Sequence, residues 1–207
     1  ATHCGITVGE DGASHQALED VAIMRAIPNI TVIAPADATE VREVITWAAE
    51  YKGPVYVRVS RANLPVIFKQ GEYKFNPNKA VVMREGKDVT VVTNGETTCE
   101  VLGAAEILAK EGISLEVVHA PVVKPLDTTT IVESAKKTGK VVTVENHSVI
   151  GGLGGAVCEA LSENHPTKVL RIGTYDQFGQ SGTADELMDY YGFTAEKLAA
   201  KIKGFVK

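Results

Sequence analysis

Ile30-Thr31-Val32-Ile33-Ala34-Pro35-Ala36-Asp37 is the stretch on which the fold turns. Its first five residues are apolar or β-branched and lie between Pro28-Asn29 and Pro35, which marks a short, buried, parallel strand. Asp37 and Glu40 have the D-x-x-E spacing of a capping box, and Val41, Val44, Ile45, Ala48 and Ala49 follow at helical intervals. Gly53-Pro54 stops that helix, and Val55 to Val59 makes the next strand. Strand, helix and strand in this order imply an α/β fold with a parallel sheet. The second strand ends in Val59-Ser60-Arg61, polar residues at a strand's carboxyl end, where open α/β sheets bind ligands. Arg61 is then either a solvated surface arginine or a planar fork for phosphate or carboxylate.

Upstream lies Gly9-Glu10-Asp11-Gly12-Ala13-Ser14-His15-Gln16. It joins a short apolar run, Ile6-Thr7-Val8, read as a strand, to a helical pattern at Leu18, Val21, Ala22, Met24 and Arg25. Gly9 and Gly12 suit a tightly folded loop. Ser14 is placed to N-cap the helix, and His15 would then sit in its first turn. There the dipole gives no reward for a charged ring, and a neutral imidazole suits proton transfer. Spacing alone leaves a structural and a catalytic histidine level. His3, Cys4 and His15 invite a metal reading, but no fourth ligand has zinc spacing, so no metal site is expected in this chain.

From Asn63 to Lys79 the periodicity dissolves among Pro65, Gly71, Pro77 and scattered charges, which reads as a linker with a short extended piece near Tyr73 to Phe75. The expected organisation is a first domain over 1–66, a linker over 67–79 and a second domain over 80–207. In the second part, Val89–Thr93, Leu115–His119 and Val141–Glu145 read as strands. Helices are expected after Thr97-x-x-Glu100, Leu126-Asp127, Gly151-Gly152-Leu153-Gly154-Gly155, Thr183-x-x-Glu186 and Thr194. The glycine cluster does not meet G-x-G-x-x-G, because Val157 takes the third glycine's place, so it reads as close helix–sheet packing. His147 is expected in a loop with a structural or interface role.

Composition narrows the function. The chain has 207 residues, 44% of them hydrophobic, with a net charge of −5 and no basic stripe, which argues against nucleic acid as the main partner. No apolar run reaches the roughly 18 residues of a membrane span, so no membrane partner is expected. Cys4, Cys99 and Cys158 lie far apart, as reduced thiols of a cytoplasmic protein would.

Several motifs in order carry a resemblance. Thr2-His3, Gly9 to Gln16, Arg25-Ala26-Ile27-Pro28-Asn29, Pro35-Ala36-Asp37, Gly53-Pro54-Val55-Tyr56-Val57-Arg58 and Ser60-Arg61-Ala62-Asn63-Leu64-Pro65 closely resemble the pyrimidine-binding domain of transketolases. Glu145-Asn146-His147-Ser148, the glycine run and Phe178-Gly179-Gln180-Ser181-Gly182 resemble the transketolase C-terminal domain. The resemblance implies a partial thiamine-diphosphate-binding pyrimidine-type domain followed by a compact α/β three-layer domain. It implies an enzyme that moves a two-carbon ketol unit between sugar phosphates in the pentose phosphate pathway, using thiamine diphosphate with Mg2+ or Ca2+. Their ligands are expected mainly outside this chain, on a second subunit or a missing N-terminal part of a homodimer. The acidic residue that engages the aminopyrimidine is expected before Ala1, and the chain alone should be inactive. By the same resemblance, Asp11 selects the substrate's C2 hydroxyl, His15 lies by the reacting carbons, and His3, Ser60 and Arg61 clamp the phosphate. 1-Deoxyxylulose-5-phosphate synthase shares the Gly-Glu-Asp-Gly…His-Gln loop and is the closest rival. A noncatalytic dimerisation module is the rival of another class.

Overall fold

The computed structural model describes residues 1–207 as two sheets flanked by helices. The first sheet holds β1 (Thr31–Ile33), β2 (Val55–Val57) and β6 (Val122–Lys124), in the order β2-β1-β6. β1 and β2 run parallel, Thr31 opposite Val55, with α2 (Ala38–Glu50) between them in sequence. Asp37 caps that helix by accepting from the Glu40 amide at 2.8 Å. Glu40 does not complete a capping box: its carboxylate accepts from the Ala36 amide and from His119 instead. β6 comes from the second half of the chain and pairs antiparallel with β1, so the small sheet draws on both parts of the sequence.

The second sheet has the order β3-β5-β4-β7-β8, built from β3 (Val81–Arg84), β4 (Val89–Thr93), β5 (Leu115–His119), β7 (Lys140–Ser148) and β8 (Lys168–Thr174). All pairs are parallel except the antiparallel edge strand β3. Strand residues alternate between two faces. Val91, Val117 and Val144 pack on α3 (Thr97–Lys110), α6 (Ala184–Tyr191) and α7 (Ala195–Val206). Val92, Val118 and Val141 pack on α4 (Thr128–Thr138) and α5 (Leu153–Asn164), in a core that also takes Val21 and Val32 from the first part of the chain. The result is the three-layer arrangement expected. No helix is long and apolar enough to cross a membrane.

Four further local expectations are corrected. Ile6-Thr7-Val8 is no strand but part of a 3-10 turn, Ile6–Asp11, because Gly5 and Gly9 take positive φ on either side of it. Ser14 caps nothing: α1 spans Asp20–Ala26 and starts after Glu19, so His15 lies outside the helix and the dipole argument does not apply to it. Thr97 does not cap α3 with Glu100, since its hydroxyl bonds Thr93 and the Asn94 and Val144 carbonyls, while Glu100 accepts from the Ala195 amide. His147 stands on β7, not in a loop, and is 1% exposed. Tyr73 to Phe75 lies outside the strands of both sheets. By contrast, Thr183 and Glu186 form a full reciprocal capping box.

Candidate functional site

The 3-10 turn puts its apolar residues Ile6 and Val8 inside and leaves Glu10 and Asp11 in solvent. Gly12 (φ 75°) then reverses the chain, and the backbone closes through His15 N–H to the Gly12 carbonyl at 3.0 Å. Beside the turn runs the chain leaving β2. The Arg61 guanidinium meets the Asp11 carboxylate at 2.7 Å and the Val8 carbonyl at 3.0 Å, with both charged groups nearly half exposed. Thr2 bridges to Val59 as a short parallel contact, which sets His3 alongside the strand end that carries Ser60 and Arg61. His3 is exposed, with Nδ1 against its neighbour Thr2 Oγ1 at 3.1 Å. His15 is exposed, with Nδ1 on Ser14 Oγ at 2.9 Å, so Nε2 is the nitrogen that faces outward for a ligand.

Ser60 points the other way. Its hydroxyl donates to Glu96 Oε2 at 2.7 Å, lies 3.2 Å from Thr7 Oγ1, and accepts from the Ala62 amide. The structure thus brings Asp11 and Arg61 into direct contact, sets His3 beside the strand end that carries Arg61, leaves His15 exposed on the loop four residues after Asp11, and uses the Ser60 side chain in the floor.

That floor is a polar layer within the protein. Glu96, on the loop between β4 and α3, accepts from Thr7 Oγ1 at 2.6 Å, from Ser60, and from the Asn146 amide. Burial pushes the Glu96 carboxyl up, against the pull of the two hydroxyls and of Arg58. Arg58, at the end of β2, donates to Asp20 at 2.8 Å and to the carbonyls of Ala17 and Asn146. Burial is the largest single influence and would raise the Asp20 carboxyl, but the Arg58 charge together with the hydrogen bonds from Arg58 and Tyr56 holds the group below its usual range. On β7, Glu145 accepts from the Leu153 and Gly154 amides at the start of α5, which stabilises a carboxylate there. Burial still lifts it to about 7. His147 is driven by burial to about 4 and is neutral. Its Nδ1–H donates to the Ser148 carbonyl at 2.7 Å and Nε2 accepts from the Ala22 amide at 3.4 Å.

Sequence reading missed Glu96, Arg58 and Asn146. Glu96 carried one usable signal: Asn94-Gly95-Glu96 follows the carboxyl end of a parallel strand, as Ser60-Arg61 does. The exposed polar groups, donors on His3, Ser14, His15 and Arg61 and the accepting carboxylate of Asp11, suit a hydroxylated ligand with an anionic end. They do not suit a metal-bound diphosphate, and no three His, Cys, Asp or Glu side chains converge as a metal-binding group.

Residues 1–66 match the family model described as transketolase, pyrimidine binding domain, and residues 78–198 match transketolase, C-terminal domain. A Methanocaldococcus jannaschii protein whose name assigns it as a transketolase C-terminal section is 52% identical over 98% of this chain and 64% of its own length. A Phocaeicola vulgatus protein, named as one of the subunits of an apulose-4-phosphate transketolase, is 36% identical over 98% of this chain and 65% of its own. A Clostridium protein named for 6-deoxy-6-sulfo-D-fructose transketolase is 43% identical over 94% of this chain and 60% of its own. Among solved structures, a split-gene transketolase described as an inactive beta4 tetramer superposes with a TM-score of 0.88 at 45% identity, over 99% of this chain and 64% of that one. The chain therefore spans less than two thirds of the length of each of these relatives.

Proposed function

The chain belongs to the transketolase family, and on that premise we propose that it is the substrate-binding part of a thiamine-diphosphate-dependent transketolase that moves a two-carbon ketol unit between sugars with a terminal anion. The observation that carries this reading is the Asp11–Arg61 pair, held 2.7 Å apart on the exposed rim. An exposed ion pair of this kind is worth only about 0.2–1 kcal/mol. A phosphate, carrying nearly two charges, therefore competes well for the guanidinium and takes it as a bidentate partner. Asp11, released, accepts a hydroxyl of the sugar. His3 lies beside the same strand end and adds a donor to the anion. His15 presents Nε2 towards the reacting carbons, where it takes or gives a proton on the sugar hydroxyls. Holding the anionic end in this way fixes the sugar in a reactive pose.

Thiamine diphosphate supplies the carbon nucleophile of such enzymes, and it is held with its divalent metal by a complementary subunit, because the donors of this chain do not form a diphosphate–metal cradle. The complete enzyme is then an assembly of both kinds of subunit in the cytoplasm, acting on sugars of the pentose phosphate type. Relatives named for a sulfonated and for a phosphorylated sugar support an anionic terminus while leaving the sugar itself variable. A coupled assay of the reconstituted enzyme decides between the two chemistries. Turnover of xylulose 5-phosphate with ribose 5-phosphate is expected; turnover of pyruvate with glyceraldehyde 3-phosphate alone would assign it to the deoxyxylulose-phosphate branch.

A further inference from the structure

We propose that Glu96 is a positioning residue: a carboxylate of the second domain that grips the two segments bearing Asp11 and Arg61 and so fixes the substrate rim. Its two oxygens divide the task. Oε2 receives Thr7 Oγ1 at 2.6 Å and Ser60 Oγ at 2.7 Å, one from the 3-10 turn and one from the end of β2. Thr7 stands four residues before Asp11, and Ser60 is bonded directly to Arg61. Oε1 receives the Asn146 side-chain amide, whose own oxygen accepts the Ile6 amide at 3.0 Å. One carboxylate thus sets the spacing of both rim segments, and Asn146 ties it to the first residue of the turn.

The rest of the turn is fastened from the same side. Gln16 donates to the carbonyls of Ile6, Gly9 and Gln180, and Arg58 holds the Ala17 carbonyl. Glu96 is 6% exposed and touches no solvent-facing group of the rim, so it acts through Thr7 and Ser60 and not on a ligand. A buried carboxylate that only filled space would cost folding energy for no return. Here its acceptor capacity is spent on three donors, and two of these belong to the segments that must be aligned. The inference deepens the transketolase reading and depends on it for its kinetic arm alone.

Wild type, Glu96→Ala and Glu96→Gln are compared in two measurements. Hydrogen–deuterium exchange on the chain itself follows the amides of residues 6–17. Ketol transfer by the enzyme reconstituted with its complementary subunit gives kcat and KM for ribose 5-phosphate. Losing two or three buried hydrogen bonds should speed exchange at 6–17 and raise KM by about tenfold or more in Glu96→Ala, with a smaller change in kcat. Protection in α4 and α5 should stay at wild-type level. Glu96→Gln still accepts from Asn146 and offers its amide to both hydroxyl oxygens, so it should recover most of both properties. Unchanged exchange and unchanged KM in Glu96→Ala would overturn the inference. Equal loss of protection across the whole chain would also overturn it, making Glu96 an ordinary core residue. If the wild-type assembly transfers no ketol unit while exchange changes as expected, the functional reading fails and the positioning role stands.

Discussion

At the scale of the residue, magnitudes separate binding from stability. The Arg61–Asp11 pair is too exposed to matter much for folding, so Arg61→Ala should change stability by less than about 1 kcal/mol. It should nevertheless raise KM for ribose 5-phosphate far more than for ribose, about a hundredfold against little, as expected for a lost charge-assisted fork. Arg61→Lys should recover only part of this, since a point charge lacks the paired geometry. Equal effects on both sugars, measured side by side, would mark Arg61 as structural. On β7, Glu145 and His147 make a second residue-level case. The Glu145 carboxyl, raised from 4.5 to about 7, takes stability away as pH rises through that window. The His147 imidazole, lowered from 6.5 to about 4, adds stability as pH rises through an overlapping one. Each is worth on the order of 3 kcal/mol, so they nearly cancel in wild type between pH 4.5 and 6.5. His147→Asn removes one side of the balance. Its urea midpoint should fall as pH goes from 5 to 6.5, where the wild-type contribution from this pair is flat; a midpoint that rises would contradict the assignment.

At the scale of the element, the 3-10 turn shows what backbone freedom does for the site. Gly5 has φ 82°, and a Cβ there would sit 2.5 Å from the Asn146 side-chain nitrogen, which is already committed to Glu96. Gly5→Ala should therefore cost about 2–5 kcal/mol from backbone strain and overpacking together. Gly71 has φ 84° with nothing within 4 Å, so Gly71→Ala isolates the strain and should cost only about 1–2 kcal/mol. Chemical denaturation of the two variants gives the comparison directly. The same turn marks the limit of the sequence. Regular strands such as Val89–Thr93 and Leu115–His119 declared themselves, because five consecutive buried residues between turn signals have few other solutions. Ile6-Thr7-Val8 has the same composition, but two positive-φ glycines wind it into a turn. The exposed residues of the site were legible through motif spacing and strand-end position. Glu96 and Asn146 were not, because their meaning lies in partners 89 and 140 residues away. β6 was missed for a similar reason: three residues gain their strand character only from pairing with β1.

At the scale of the whole molecule, the two parts of the chain form one folded unit. Val21 and Val32 share a core with Val92, Val118 and Leu153, and Glu40 of α2 reaches His119 of β5 at 2.8 Å, both fully buried. Tyr73, between the two parts, donates its hydroxyl to the same carboxylate, which also accepts the Ala36 amide. Removing that acceptor leaves two buried donors and the half-buried Tyr73 hydroxyl unpaired, so Glu40→Ala should cost about 3–5 kcal/mol. It should also separate two unfolding signals. Fluorescence of Trp47, the single tryptophan, reports α2, and far-UV circular dichroism reports the larger sheet and its helices. The signals should coincide in wild type and split in the variant, the tryptophan signal melting first; coincident signals in both would show that Glu40 does not join the halves. On the proposed reading, a rim fixed from beneath by the second domain is half of an active site whose diphosphate–metal cradle lies on the complementary subunit. Calorimetric titration of thiamine diphosphate with Mg2+ tests this most directly, first into the chain alone and then into the chain mixed with its complementary subunit. The account predicts no saturable binding to the chain alone and micromolar or tighter binding to the mixture, on the order of −8 kcal/mol; saturable micromolar binding to the chain alone would contradict it.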